Sequence, residues 1–236
     1  MRWLTLMVVA ATAAGLSQVH AETLPLPASL IDFDSPEGEA LLISAEARND
    51  FFPLGSQFTT QINPAFCGPA SIAMVLNALD IPRPPSDLTL GLGIFDQANI
   101  FTPATEAVKP VADISRGGMT LDQLGAILGT YNLKVDVHHA ADSGLDAFRK
   151  AAVDAIDDDV HFVLVNYLRK AIGQEAGGHI SPLAAYDAET DRFLILDVSR
   201  YKYPPIWVEA AALFGAMNTG DSDNGDKTRG YVSVSR

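Results

Sequence analysis

Cys67 is the only cysteine in a chain of 236 residues. It stands in QINPAFCGPASIAMVLNAL, just ahead of apolar positions Ile72, Val75, Leu76 and Leu79 that recur at helical spacing. A thiol at the mouth of a helix ionises readily, because unpaired backbone N–H groups and the helix dipole favour negative charge there. Such a thiolate is a nucleophile for acyl transfer, and it needs a base held by an acceptor. His179 follows a Gly pair and opens the apolar run HISPLAAYD, and the turn-rich DAETD returns the chain through RFLILDVS to Asp197. If that turn centres near Ala188, His179 and Asp197 lie within cross-strand reach. Gln61, six residues before Cys67, has a side-chain amide that suits an oxyanion.

Each of these residues also has a plainer reading. Free cysteine is among the most buried residue types, so Cys67 reads equally as a small hydrophobe, and Gln61 as an exposed loop glutamine. Of the five histidines, His20 lies in a leader-like segment, His138 and His139 end a strand where solvation is the simpler account, and His161 begins an apolar strand as a satisfied core or edge residue.

The elements that must position these groups follow from periodicity. A Pro-containing lead from Glu22 to Asp50 holds a short helix near GEALLISAEAR. FFPLGSQFTTQINPAF has no period and reads as a loop delivering Gln61 and Cys67. The helix after Cys67 reads as amphipathic and stops before DIPRPP. Leu88 to Lys109 reads as short helices and loop. Thr120 caps a helix over Leu121 to Leu128, a strand follows with Val135 and Val137 alternating, and SGLDAFRKAAVDAID is a helix with Ser143 as its cap. Strands HFVLVNYL, HISPLAAYD and RFLILDVS, a helix over PIWVEAAALFGAM and a closing strand GYVSVS complete the chain. Helices followed by an antiparallel sheet make an α+β arrangement.

MRWLTLMVVAATAAGLSQVHA has the build of a secretory signal peptide, so residues 1–21 are set apart from a mature domain over 22–236. Its apolar core is too short for a comfortable membrane span, and no other stretch is long and uncharged enough for one. The mature chain is therefore expected to be soluble, in the periplasm or secreted. The formal net charge of −13 argues against nucleic acid and anionic membranes as partners. An exported protein normally pairs its cysteines, which a single Cys67 cannot do within its own chain.

QINPAFCGPASIAMVLNAL, GGHISPLAAYDAETDRFLILDVSRYKYPPIWV and AMNTGDSDNGDKTRGYVSVS together resemble the catalytic domain of the phytochelatin synthase family, in particular its short bacterial form. The resemblance runs from about Phe52 to Arg236. It implies a papain-like fold, with a helical lobe carrying Cys67 at a helix start and a sheet lobe carrying His179 and Asp197. Cys67 is then the nucleophile, His179 the general base and acid, Asp197 its orienter and Gln61 the oxyanion donor. The implied substrate is glutathione, free or as S-conjugates, cleaved at its Cys–Gly amide through a γ-glutamylcysteinyl thioester. The resemblance places Asp221 and Arg229 at the γ-glutamyl end, a pairing that suits an amine and a carboxylate. It places Arg169 and Lys202 at a second, acceptor substrate. It implies no resident cofactor or metal, with metal ions entering only as thiolate complexes of the substrate, and it suggests a homodimer. The plant proteins' cysteine-rich C-terminal region is expected to be lacking here, and Phe66 stands where they carry Tyr. Both departures lead us to expect hydrolysis to dominate over transfer.

Two other readings stay open. A papain-like or bacteriocin-leader-type peptidase would use the same Cys, His and Asp on another peptide. A non-catalytic periplasmic thiol or metal-binding module is the other, but one Cys with scattered His lacks a structural zinc set. DSDNGD is only superficially an EF-hand loop, since Val232 falls where the closing Glu is needed.

Overall fold

Both faces of the central sheet are covered by helices, which is why its strands carry such long apolar runs. The computed structural model describes residues 23–86 and 89–236, so the leader expected over 1–21 lies outside the described residues. The strands are β1 (Ile31–Asp32), β2 (Lys134–His139), β3 (His161–Leu168), β4 (Gly178–Asp187), β5 (Arg192–Ile195), β6 (Ile206–Glu209) and β7 (Gly230–Ser235). They form one antiparallel sheet in the order β1-β6-β5-β4-β3-β7-β2. The helices are α1 (Pro36–Ser44), α2 (Phe51–Ser56), α3 (Cys67–Ala78), α4 (Pro103–Val108), α5 (Val111–Gly117), α6 (Leu121–Gly129), α7 (Leu145–Ile156) and α8 (Ala210–Met217).

Strand alternation sorts the core into two clusters. Phe162 and Leu164 of β3 join Ile180, Val232 and Trp207 on the face that packs against α3 and α6. Val163, Val165 and Tyr167 join Leu183, Phe193 and Tyr231 on the face covered by Phe148 of α7 and Leu213 of α8. The α+β, papain-like architecture thus holds, with α3 packed on the antiparallel sheet that carries His179 and Asp197. It differs from a simple helical half followed by a sheet half, because α7 and α8 cover the far face.

Contrary to its expected amphipathic character, α3 is buried from Cys67 through Asn77. Ile72, Met74, Val75 and Leu76 are wholly inaccessible, each contributing roughly 1.5–3 kcal/mol of burial. This rigid rod fixes the position of its first residue.

Several boundaries depart from expectation for local reasons. The segment expected as a loop begins with α2, whose buried Leu54 anchors a run too short to show a period. IWVE, expected as helix, is strand β6, because its backbone pairs with β5 and β1. Ser143 does not cap α7; Gly144 holds that place. Thr120 does cap α6, in a reciprocal capping box with Gln123. Among the described residues no helix is long and apolar enough to cross a membrane.

Candidate active site

Cys67 is the first residue of α3 and only 8% exposed. The first N–H groups of a helix have no partner within it, and that of Gly68 is directed at the Cys67 sulfur. A Cβ on residue 68 would lie 2.5 Å from Met119 Sδ, so glycine there lets Met119 pack beside the nucleophile. Burial pushes the Cys67 thiol up, but hydrogen bonding to His179, the His179 charge and the N–H groups of Ile180 and Gly68 bring it below its ordinary value.

His179 lies near the start of β4, paired with Tyr167 of β3, whose ring meets it edge-on at 5.7 Å. Its Nε2 is 2.9 Å from Asp197 Oδ1 and 2.9 Å from Ser181 Oγ, which leaves Nδ1 for the sulfur. Burial alone would lower the imidazole pKa, yet the Asp197 charge and hydrogen bond outweigh it and the pKa rises above the usual histidine value. Asp197 follows β5, and extending the Leu183 and Ile195 pair past the bulge between Leu183 and Ala185 sets it opposite Ser181, one step along the same strand face from His179. Burial would raise the fully enclosed Asp197 carboxyl as well, but His179, Arg169 and the Ser199 N–H hold it down at about 2. The lowered thiol, raised imidazole and lowered carboxyl all favour a thiolate, imidazolium and carboxylate relay.

Arg169, assigned by the resemblance to the acceptor side, lies against Asp197. Its guanidinium is 3% exposed. Nη2 lies 2.8 Å from Asp197 Oδ1 and 2.7 Å from Oδ2, and Nη1 donates to Gln174 Oε1. Its cation sits 5.2 Å above the Tyr203 ring. These contacts let it orient Asp197 from behind the relay. Lys202 lies in the loop after Asp197, partly exposed.

Gln61 is tied to the same loop through its backbone N–H, which donates to Val198 O at 2.9 Å. Its Nε2 donates to Asn63 O at 2.9 Å and Tyr201 Oη at 3.1 Å, while Oε1 is buried without a partner among the described residues. Both amide hydrogens are thus engaged. The Tyr201 contact is the longer and the more exposed of the two, so it is the one to exchange for an incoming oxygen.

Asp221 and Arg229 come together as expected. The bridge between Gly220 and Thr228 closes their loop, which turns at Gly225 and Asp226, both with positive φ. Arg229 Nη2 is 3.4 Å from Asp221 Oδ1, and Nη1 donates to Gly220 O at 2.6 Å. Arg229 Nε is buried and unpartnered among the described residues. Lys227 and His139 both grip Asp122 of α6, at 2.7 and 2.8 Å, and fasten this loop to the helical side. His139 is therefore a structural clip rather than a solvated strand end, and His161 pairs with Asp158 at 2.7 Å. Phe66 packs its ring on Phe101 at 5.9 Å.

Cys67, His179, Asp221 and Arg229 open into one cleft of about 290 Å³, whose walls also include Arg116, Met119 and Asn166. Among the described residues no three His, Cys, Asp or Glu side chains gather as a metal set. Sequence reasoning missed Asn166, Ser181 and Ser199. The first two carried a signal: Asn166 is the one polar residue within the apolar run of β3, and Ser181 follows His179 on the same side of its strand.

Against known proteins, the phytochelatin synthase family profile matches residues 21–231. The chain is 36% identical over 224 residues to glutathione gamma-glutamylcysteinyltransferase 1 of Lotus japonicus, covering 94% of this chain and 43% of that protein. It is 34% identical over 224 residues to the Arabidopsis thaliana protein of the same name, covering 94% and 44%. It is 31% identical over 211 residues to glutathione gamma-glutamylcysteinyltransferase of Schizosaccharomyces pombe, covering 88% and 49%. The chain spans a little under half the length of these relatives.

Proposed function

The chain belongs to the phytochelatin synthase family, and from that premise we propose that it is a thiol acyltransferase and hydrolase acting on the Cys–Gly amide of glutathione. The observation that carries this reading is the buried Cys67, His179 and Asp197 relay opening into the same cleft as the Asp221 and Arg229 pair.

The Cys67 thiolate attacks the cysteinyl carbonyl carbon, and the negative charge moves to its oxygen. Backbone N–H at the start of α3 receives that oxyanion, together with the Gln61 amide once it exchanges its Tyr201 contact. The amide C–N bond breaks as the His179 imidazolium gives its proton to the nitrogen, and glycine leaves. A γ-glutamylcysteinyl thioester remains on Cys67. His179, now neutral, takes a proton from water, whose oxygen releases γ-glutamylcysteine and regenerates the thiolate. If the amine of a second glutathione attacks instead, the product is a γ-glutamylcysteine oligomer. Arg229 takes the γ-glutamyl carboxylate and Asp221 the amine, which gives a chain of net charge −13 a local hold on an anionic tripeptide. Lys202, partly exposed in the loop after Asp197, is assigned to the acceptor substrate and residues 1–21 to export.

The test is steady-state glycine release from glutathione beside release from an α-linked tripeptide of the same residues. Preference for the γ-linked substrate by at least 100-fold supports the reading. Equal rates would make the protein a general cysteine peptidase.

A further inference from the structure

Two buried carboxamides outside the cleft hold the segment that carries Gln61. Gln97, 5% exposed, donates from Nε2 to Thr60 O at 2.9 Å and accepts the Ile62 N–H at Oε1 at 3.0 Å. Those two backbone groups flank Gln61, so the Gln97 side chain pairs with the segment as a neighbouring strand would. Along extended backbone, successive residues turn their polar groups to opposite sides. The Gln61 N–H accordingly donates to Val198 O rather than to Gln97. The Gln61 main chain is held from both sides, by Gln97 on one and by the residue after Asp197 on the other. This takes a donor and an acceptor side by side, which a carboxamide has and an ionised carboxylate or an ammonium lacks.

Gln97 is in turn fixed to the helix of the nucleophile. Asn77 of α3, also 5% exposed, donates from Nδ2 to Phe95 O at 2.9 Å and accepts the Phe95 N–H at Oδ1 at 3.0 Å. Asp96 Oδ1 accepts the N–H groups of Ala98 and Asn99 at 2.8 and 2.9 Å and closes the turn around Gln97. Cys67 opens α3, and Asn77 lies roughly 15 Å further along the same rod. The path from Asn77 through Phe95 and Gln97 to Thr60 and Ile62 therefore ties the place of Gln61 to that of Cys67 a second time, beyond the chain that joins them in sequence. An oxyanion donor has to be placed to within about 0.5 Å. Gln61 lies in neither helix nor strand, and its side-chain contact with Tyr201 is the one that has to give way. Its precision must come from the main chain, which is where Gln97 acts.

We propose that Gln97 is a positioning residue for acyl transfer: its carboxamide locks the main chain on both sides of Gln61, so that the Gln61 amide can leave Tyr201 for the oxyanion without losing its place. This rests on the reading of Gln61 as oxyanion donor in glutathione cleavage and adds the residue that holds it.

The test is a double-mutant cycle on glycine release from glutathione, with Gln97→Met made in the wild type and in Gln61→Ala, and with melting temperatures of all four proteins. Met has the length of Gln without its amide. Because the oxyanion forms only on the way to the transition state, Gln97→Met is expected to lower kcat by roughly tenfold or more while KM stays within about twofold. In Gln61→Ala no amide remains to be placed, and the same substitution is expected to change kcat by less than about twofold, although it lowers the melting temperature equally in both backgrounds. Gln97→Ala read the same way covers the case in which Met does not fit. A merely structural Gln97 would lower kcat by the same factor in both backgrounds. That result overturns the assignment, as does an unchanged kcat in Gln97→Met or a Gln61→Ala protein as fast as wild type. Absence of glycine release by wild type would instead fail the glutathione reading, before any variant is compared.

Discussion

Replacing Arg169 by Met keeps the apolar stem and removes the guanidinium that straddles Asp197. The carboxylate is fully buried and receives Arg169 Nη2 at 2.8 Å, His179 Nε2 at 2.9 Å and the Ser199 N–H at 2.8 Å. Its pKa, held at about 2 against an ordinary 3.8, corresponds to roughly 2 kcal/mol of stability shared by these partners. Because the folded value is the lower one, that stability is fully present above the unfolded carboxylate pKa and is lost as pH falls towards 2. Taking one partner from a buried pair costs about 3–5 kcal/mol. Using the lower figure, Arg169→Met should melt roughly 6–12 °C below wild type at pH 7. The gap should narrow as pH falls from about 4 towards 2, where the wild-type carboxylate also protonates. Arg169 also opposes protonation of His179, so its loss should move the alkaline limb of the kcat/KM profile to higher pH. Calorimetry across pH and a pH profile of glycine release read both effects. An unchanged melting temperature and alkaline limb, with only acceptor-dependent transfer impaired, would refute the reasoning and return Arg169 to the acceptor side.

The wild-type pH profile itself should be a bell. Its acid limb lies below the ordinary thiol value because His179 and backbone N–H groups lower Cys67, and its alkaline limb lies above the ordinary histidine value because Asp197 raises His179. Asp197→Asn should bring the alkaline limb down, and a limb that stays in place would contradict the assigned cause. Asp50 is buried with both carboxyl oxygens unpartnered among the described residues, and burial, with repulsion from Asp158, Asp159 and Asp157, raises it to about 10. The folded state then holds a proton that the unfolded state releases above about pH 4, so stability falls with rising pH by up to about 1.4 kcal/mol per unit. Asp50→Asn should flatten that slope in denaturant titrations between pH 5 and 8, and equal slopes would show the carboxyl to be ionised. At Gly230 an added Cβ would lie 1.9 Å from His138 O in the partner strand. Gly230→Ala should therefore cost about 3 kcal/mol and weaken substrate binding through Arg229, and wild-type denaturation and KM would contradict that.

How far the sequence reached depended on the range of the cause. Cys67, His179 and Asp197 were legible because each lies next to a local signal: a helix start, a strand start, and a hairpin that brings two strand ends level. The bulge that completes their register was not, since it arises from pairing across the sheet. Arg169 had only the acceptor-side place that the resemblance gave it, and only the folding of the 199–203 loop over it makes it a buried partner of Asp197. IWVE misled because an apolar run beside an Ala-rich helix shows no boundary until β1 and β5 claim its backbone. The burial of α3 on every side likewise comes from tertiary cover, not from its own pattern. Asn166 stood in plain view as the polar residue of an apolar strand, but its place in the cleft needed the pairing of β3 with β4 and β7.

The central claim is that Cys67 carries the acyl group. Intact-protein mass spectrometry of acid-quenched mixtures of reduced protein and glutathione measures this directly, with Cys67→Ala alongside. The account predicts a γ-glutamylcysteinyl adduct mapped to Cys67, formed together with released glycine and missing from the variant. Glycine release with no adduct on Cys67, or release sustained by Cys67→Ala, would contradict it.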